Sequence, residues 1–372
     1  MPEAYEPDED DLNVSAPPQP VFHVEQALLG ALLLDPHRLG DVTSISADSF
    51  STAAHSALFA TISTLPPPDP TDHAKNTKWL DRVLATARQR ARGLTASDLH
   101  ALIQVCPWPR HAAAYARMVE AEHARRRLQA AAERLVQTVH DASLPHPVQT
   151  VLAEADALTA VVDDIAARFS PRAGVLPRTC APSPSVPPGY TVAVEEERLL
   201  LATATAYPAD IESVRWLLPD DLTLPLHAGL WQCLTALARR REPVDPVTVL
   251  WEAQQHGLLG DGSDPGEVLR MLAEPAGSVE HWGERALQRS LLATADLSGR
   301  HIGAYAADPA NTPFQLVVGA RRSLADIGAV RARWQHATGT APTPRPLPAP
   351  TTRAGPPTTT AAPSSRTARA TR

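Results

Sequence analysis

Nucleotide hydrolysis needs a glycine-rich loop whose backbone N–H groups cradle phosphates, followed by a lysine that reaches them. The chain has only two lysines, Lys75 and Lys78; neither follows such a loop, and G-x-x-x-x-G-K-[ST] does not occur. Neither does H-E-x-x-H, which sets two zinc ligands on one helix face, nor G-x-S-x-G, which exposes a nucleophilic serine on a tight turn. Cys106, Cys180 and Cys233 are odd in number and far apart, with no C-x-x-C, so neither a disulfide framework nor a thiolate metal site is indicated. The run from Gly260 to Gly266 lacks the alternating acids and closing glutamate of a calcium loop and is expected to be a turn. His55 and His227 are expected to be packed helix-face histidines bonded to neighbouring backbone rather than ligands or bases. Arg125 to Arg127 are expected to form a solvated face; the alternative is a pairing surface for an acidic partner. No catalytic, cofactor-binding or metal-binding residue is assigned, and no cofactor is implied.

The elements carrying these side chains occur twice. Residues 23–65 lie without a gap on residues 195–237, an offset that carries position 55 to position 227. Glu25 meets Glu197, Leu28 and Leu29 meet Leu200 and Leu201, Pro36 meets Pro208, His55 meets His227 and Leu58 meets Leu230. An ungapped match that keeps apolar class, proline and histidine implies two copies of one helical domain.

This repeated stretch resembles the N-terminal domain of the bacterial replicative DNA helicase, the hexameric DnaB type. The family's E-x-x-L-L-G-x-L-L-x-D-P is here Glu25 to Pro36, and its F-x-x-x-x-H-x-x-x-F is Phe50, His55 and Phe59. The entry to a long helix, Tyr115 to Glu120 with Arg126 to Leu128 behind it, is similar to the family's Y-A-x-x-V and R-x-L. In the second copy, Pro243, Asp245 and Thr248 match the family's P-x-D-x-x-T, which the first copy lacks. The second copy in turn has Ala202 where Gly30 stands, and Thr203 and Thr205 where the first is apolar, leaving its packing partner open.

Helical periodicity runs through both copies. In the first, Ala27, Leu28, Ala31 and Leu32 mark one helix; Asp35 as N-cap and Pro36 at the first helical position start a short one with Leu39, Val42 and Ile45 on its apolar side. A third runs from about Ser51 to Leu65, stopped by Pro66 to Pro70. Two more follow, with Trp79, Leu80, Val83 and Leu84, then Leu99, Leu102 and Ile103, the second capped by Thr95 or by Ser97-Asp98. A long helix over about 110–140 and a second carrying Val148, Leu152, Ala155, Leu158, Val162, Ile165 and Phe169 form a hairpin with near-heptad spacing. The second copy ends in a hairpin over about 278–306 and 313–334.

The expected fold is all-α: two helical-bundle domains, each a globular head plus a long hairpin, joined by a Pro-rich linker. Residues 1–20 are an acidic disordered arm, 21–169 the first domain, 170–191 the Pro/Ser linker, 192–335 the second domain and 336–372 a disordered Thr/Pro/Arg-rich tail with five arginines and no acid. The net charge of −7 argues against a simple DNA-coating protein. The arm is no signal peptide, and the longest apolar run, Ala27 to Leu34, is far short of the roughly 20 residues a membrane span needs, so a cytoplasmic protein is expected.

The resemblance implies a collar-type domain that oligomerises and receives primase or regulators, without the ATPase motor. A non-catalytic protein-interaction component of DNA replication is therefore expected. Its partners would be the replicative helicase, the primase or itself, through hairpin seams that include Leu152, Leu158, Val162, Ile165, Val317 and Ile327. Nucleic acid would be touched at most by the basic tail. The alternative is a scaffold or DNA-associated accessory protein, of the nucleoid or of transcription, that reuses the fold.

Overall fold

The computed structural model describes residues 19–169, 176–179, 190–260 and 264–339. The acidic arm up to residue 18, most of the linker with Cys180, the centre of the Gly260–Gly266 run and the tail from 340 onward lie outside the described residues. Among those described, no strand occurs.

The first head opens on α1 (Pro20–Leu34), whose proline at the start costs no hydrogen bond, since that N–H would have no intrahelical partner. Its stretch from Ala27 to Leu33 is buried throughout. Asp35 does not cap a helix, contrary to expectation. Its carboxylate pairs with Arg38 at 2.9 Å, and its own N–H closes onto Ala31. Pro36 begins only a 3-10 turn that ends at Asp41, so Ile45 lies beyond it. Thr52 caps α2 (Ala53–Thr64) by accepting from His55 N at 3.1 Å. A single turn, α3 (Pro70–His73), precedes α4 (Lys78–Ala87). Thr95 and Asp98 form a reciprocal capping box on α5 (Ala96–Val105), which settles the cap in favour of Thr95. The long helix is α6 (Ala112–His140), and α7 (Pro147–Arg168) completes the hairpin.

The second copy runs through α8 (Tyr190–Ala206), α9 (Pro225–Arg240), α10 (Pro246–Gln255), α11 (Pro265–Leu272), α12 (Val279–Ala307) and α13 (Pro313–Ala337). The family-like Asp245 and Thr248 are the capping box of α10: Asp245 accepts from Val247 N and Thr248 N, and Asp245 N donates to Thr248 Oγ1. Thr203 and Thr205 have partners within this copy. Thr203 exchanges hydrogen bonds with the main chain of Ala276, and Thr205 donates to Leu201 O at 2.8 Å.

One apolar core joins α1, α2, α4 and α5 with the beginning of α6, where Ala112, Ala116 and Val119 face it. A second runs from Ala124 of α6 through α7 and on through α8 to α13. Hence α6 serves both: its first turns seat the first head, and the rest enters a four-helix bundle. In that bundle α6 packs on α7 and α12, and α13 on α12 and α7. The backbones of α6 and α12 come close at Gly299, where a Cβ would stand 3.3 Å from the Ala132 carbonyl oxygen.

Candidate functional site

The six seam residues come together in that bundle. Leu152, Leu158, Val162 and Ile165 lie on α7 and Val317 and Ile327 on α13, all buried. The first hairpin's seam is thus filled by the same chain's second hairpin, and an external helix would have to displace one to reach the other. Ion pairs cross the rim: Arg127 to Asp164, Arg321 to Asp163 at 2.8 Å and Arg331 to Asp156 at 2.5 Å. Exposed pairs of this kind contribute about 0–1 kcal/mol each, so the apolar interior holds the hairpins together.

The three consecutive arginines do not form a solvated face. Arg125 crosses the bundle to the turn between α12 and α13, donating to Ala306 O at 3.1 Å, Asp308 O at 2.5 Å and Asn311 O at 2.7 Å. The last carbonyls of a helix lack intrahelical partners, and here a guanidinium supplies them. Arg126 turns the other way, donating to Ser49 O at 2.7 Å in the first head, while Arg127 holds α7. Successive helix positions diverge by about 100°, so three neighbouring arginines reach three different bodies. Asn311, itself buried, also holds part of the linker: Arg178 N donates to its Oδ1 at 2.9 Å, and its Nδ2 donates to Thr179 Oγ1 at 2.7 Å. Residues 176–179 are therefore docked on the second hairpin, although the linker's composition asks for no fixed structure.

Each head carries one buried acid–histidine clasp. His55 Nδ1 donates to Glu25 Oε2 at 2.7 Å, and Ser51 N donates to Glu25 Oε1 at 2.7 Å. In the second copy His227 Nδ1 donates to Glu197 Oε2 at 2.8 Å, and Thr223 N to Glu197 Oε1 at 2.7 Å. An arginine from the hairpin stands 3.9 Å from each carboxylate, Arg126 in one and Arg289 in the other. Both glutamates are fully buried, and burying a carboxylate is tolerable only where donors replace its water. The histidines are therefore bonded to a carboxylate, not to backbone as expected. Arg289 also pairs with Glu196, and burial lowers its pKa to about 10. The clasp fixes α1 on α2 and on the hairpin. It faces no solvent, so it presents no base to a substrate.

The thiols are equally withdrawn. Cys106 and Cys233 are buried, and burial pushes the Cys233 pKa up to about 11, far from the range of a reactive thiolate. Among the described residues, no group of three His, Cys, Asp or Glu side chains is placed to hold a metal ion. No helix among them is long and apolar enough to cross a membrane.

Outward-facing apolar side chains sit on the heads. Val247 and Trp251 on α10 are 64% and 61% exposed and line a cleft with Pro243 and Leu237. On the first head Val105 and Trp108 are exposed, with Arg110 stacked on the Trp108 ring. Sequence reasoning identifies α10 as a family match and misses its exposed face, because an amphipathic pattern does not say which apolar positions a neighbour covers.

Two helical heads, each followed by a long helical hairpin, make one layout that occurs twice in the chain. The model of the DnaB-like helicase N-terminal domain matches residues 16–121 and 191–284, more than half of the chain, and the chain belongs to this family. Both matched stretches end inside the first helix of a hairpin, and both are copies of the same N-terminal domain. No curated protein and no solved structure matches the chain.

Proposed function

We propose that this protein is a non-catalytic interaction component of the DNA-replication machinery, acting in the cytoplasm on the replicative helicase or the primase. The observation that carries this reading is the double occurrence of the helicase N-terminal domain together with the filled seam between the hairpins. In the helicase family the corresponding hairpins pair between subunits of the collar. Here one chain supplies both hairpins, so one chain stands for a collar dimer and three chains would present six heads. With the seams occupied, partners and further copies meet the heads, where Trp251, Val247, Trp108 and Val105 are exposed.

The test is capture with the full-length chain from lysate of its own host, read by mass spectrometry, beside the Trp251→Ala and Trp108→Ala variants. Recovery of helicase or primase, reduced by either variant while the bait stays helical, supports the reading. A wild-type bait that recovers neither partner overturns it. The mass in solution by light scattering tests the assembly: a clean monomer at high micromolar concentration removes the three-chain ring.

The second reading, a DNA-associated accessory protein, is favoured by the five arginines and absence of acids after residue 336. It requires oligonucleotide binding that falls steeply with salt and is lost when the tail is removed.

A further inference from the structure

We propose that the acidic N-terminal arm docks on a basic face of the first head, built on α4 and the turns at its two ends. The face carries Lys75, Lys78, Arg82, Arg88, Arg90 and Arg92, all exposed. Both lysines of the chain are among them. Trp79, Val83, Leu84 and Ala87 turn α4's other side into the core, which directs Lys78 and Arg82, one helical turn apart, outward together. Arg88 Nε donates to Leu94 O at 2.6 Å and folds the following turn back, keeping Arg90 and Arg92 at the end of α4. None of the six takes part in an ion pair among the described residues, whereas Arg38, Arg125 and Arg240 each do. Of the nearby acids, Asp69 caps α3 and Asp81 accepts from Thr77, while Asp72, exposed and in no ion pair among the described residues, offsets one of the six charges.

The face belongs to the first copy alone. The corresponding stretch of the second copy sets Arg239, Arg240 and Arg241 beside Glu242, Asp245 and Glu252, with Arg240 paired to Glu252 at 2.8 Å and no lysine, so its charges balance. The arm is its electrostatic complement, with Glu3, Glu6, Asp8, Glu9, Asp10 and Asp11 and no basic side chain before His23. Reach is sufficient. His73 Nε2 donates to Leu33 O at 2.8 Å, so the basic segment begins at the C-terminal end of α1, while the arm joins the N-terminal end. Fifteen residues of α1 span about 22 Å. An extended chain covers about 3.5 Å per residue, so the stretch from Asp11 to Gln19 spans about 28 Å and that from Glu3 about 55 Å. Tethering adds an effective concentration on the order of millimolar, which makes a screened surface attraction sufficient for docking. The other basic stretch, from Arg345 to Arg372, spreads five charges over a longer run, so its charge density is lower.

Zero-length carbodiimide coupling of the full-length chain at low salt tests this directly, because Lys75 and Lys78 are the only lysine amines. Mixing isotope-labelled and unlabelled chains separates links within a chain from links between chains. The expected product is an amide from Lys75 or Lys78 to an acid between Glu3 and Asp11 of the same chain. Its yield should fall several-fold at about 1 M salt, and likewise in an Arg82→Gln, Arg90→Gln, Arg92→Gln variant that keeps both lysines. Links only to Asp72 or Asp81, links only between chains, or a yield indifferent to salt would overturn it. Tight binding of single-stranded DNA with no arm link would assign the face to nucleic-acid phosphates instead, and the proposal falls.

Discussion

The Arg125 guanidinium donates to the carbonyl of Asn311 at 2.7 Å, joining the first helix of one hairpin to the turn of the other across a sequence separation of 186 residues. The same guanidinium serves Ala306 and Asp308, and its side chain is only 12% exposed. Hydrogen bonds to a charged group contribute about 1.5–3 kcal/mol, and carbonyls left without a donor add their desolvation cost. Arg125→Met, which keeps the aliphatic stem, is therefore expected to lower unfolding stability by about 2–3 kcal/mol. Arg117→Met, on the same helix but exposed, should change it by less than about 0.5 kcal/mol. Urea melts of the three chains check this, and equal midpoints for Arg125→Met and wild type would refute it.

The two clasps make a paired prediction. Glu25→Gln and Glu197→Gln keep shape but replace one acceptor oxygen by a donor, so a histidine or a backbone N–H loses its partner in each head. A buried donor left unsatisfied costs about 1–3 kcal/mol. The consequences should differ in place. Glu25 lies at the first head, whose core is separate from the bundle, whereas Glu197 is anchored to the core shared by both hairpins. Hydrogen exchange of Glu25→Gln should accelerate in α1 and α2 and leave α13 unchanged. In Glu197→Gln the acceleration should reach α12 and α13. Identical exchange patterns in the two variants would count against separate cores.

Much of this is legible in the chain, and the misses share a cause. The repeat and the apolar spacing give the helices, because a helix is a local object with a period of about 3.6 residues. Glu25 and His55 align with Glu197 and His227, so both partners of the clasp are visible. Their pairing is not, since nothing in a one-dimensional pattern states that positions 25 and 55 meet. Arg125 to Arg127 suggest one charged face only as long as adjacency in sequence stands for adjacency in space. Asp35 has the look of a cap next to proline, but Arg38 one turn later competes for its carboxylate. The linker's composition cannot build a core of its own, yet Leu176, Arg178 and Thr179 are held by Gln315 and Asn311 of the second hairpin.

Filling of the seam changes what substitutions there do. Leu158 and Ile165 are essentially without solvent contact. An unpaired carboxylate placed at either costs several kcal/mol, so Leu158→Asp is expected to unfold the bundle rather than to abolish a partner contact selectively. Trp251→Ala removes a side chain that is 61% exposed and should alter stability by less than about 0.5 kcal/mol. Circular dichroism melts distinguish the two. A Leu158→Asp chain that melts like wild type would mean that the hairpins part in solution and that the seam is free for another helix.

Gly30 sets helix propensity against packing. In an isolated helix, Ala is preferred to Gly by about 1 kcal/mol, so propensity alone predicts that Gly30→Ala stabilises α1. The tertiary contact opposes it: a Cβ there would overlap the Leu102 carbonyl oxygen and stand 2.9 Å from the Cys106 Cβ. A main-chain oxygen cannot rotate away, so α1 and α5 must separate, and forced overpacking costs typically about 1–3 kcal/mol. With the oxygen overlapped, the cost lies toward the upper end of that range and outweighs the gain in propensity, and Gly30→Ala is expected to lower stability by up to about 2 kcal/mol. In the second copy Ala202 occupies the matching position and is fully buried, so the helices there already make room for the methyl. Ala202→Gly loses both propensity and packing and should be destabilising as well. Chemical denaturation of the two single variants checks the pair, and a stabilised Gly30→Ala chain would show that α5 yields without cost.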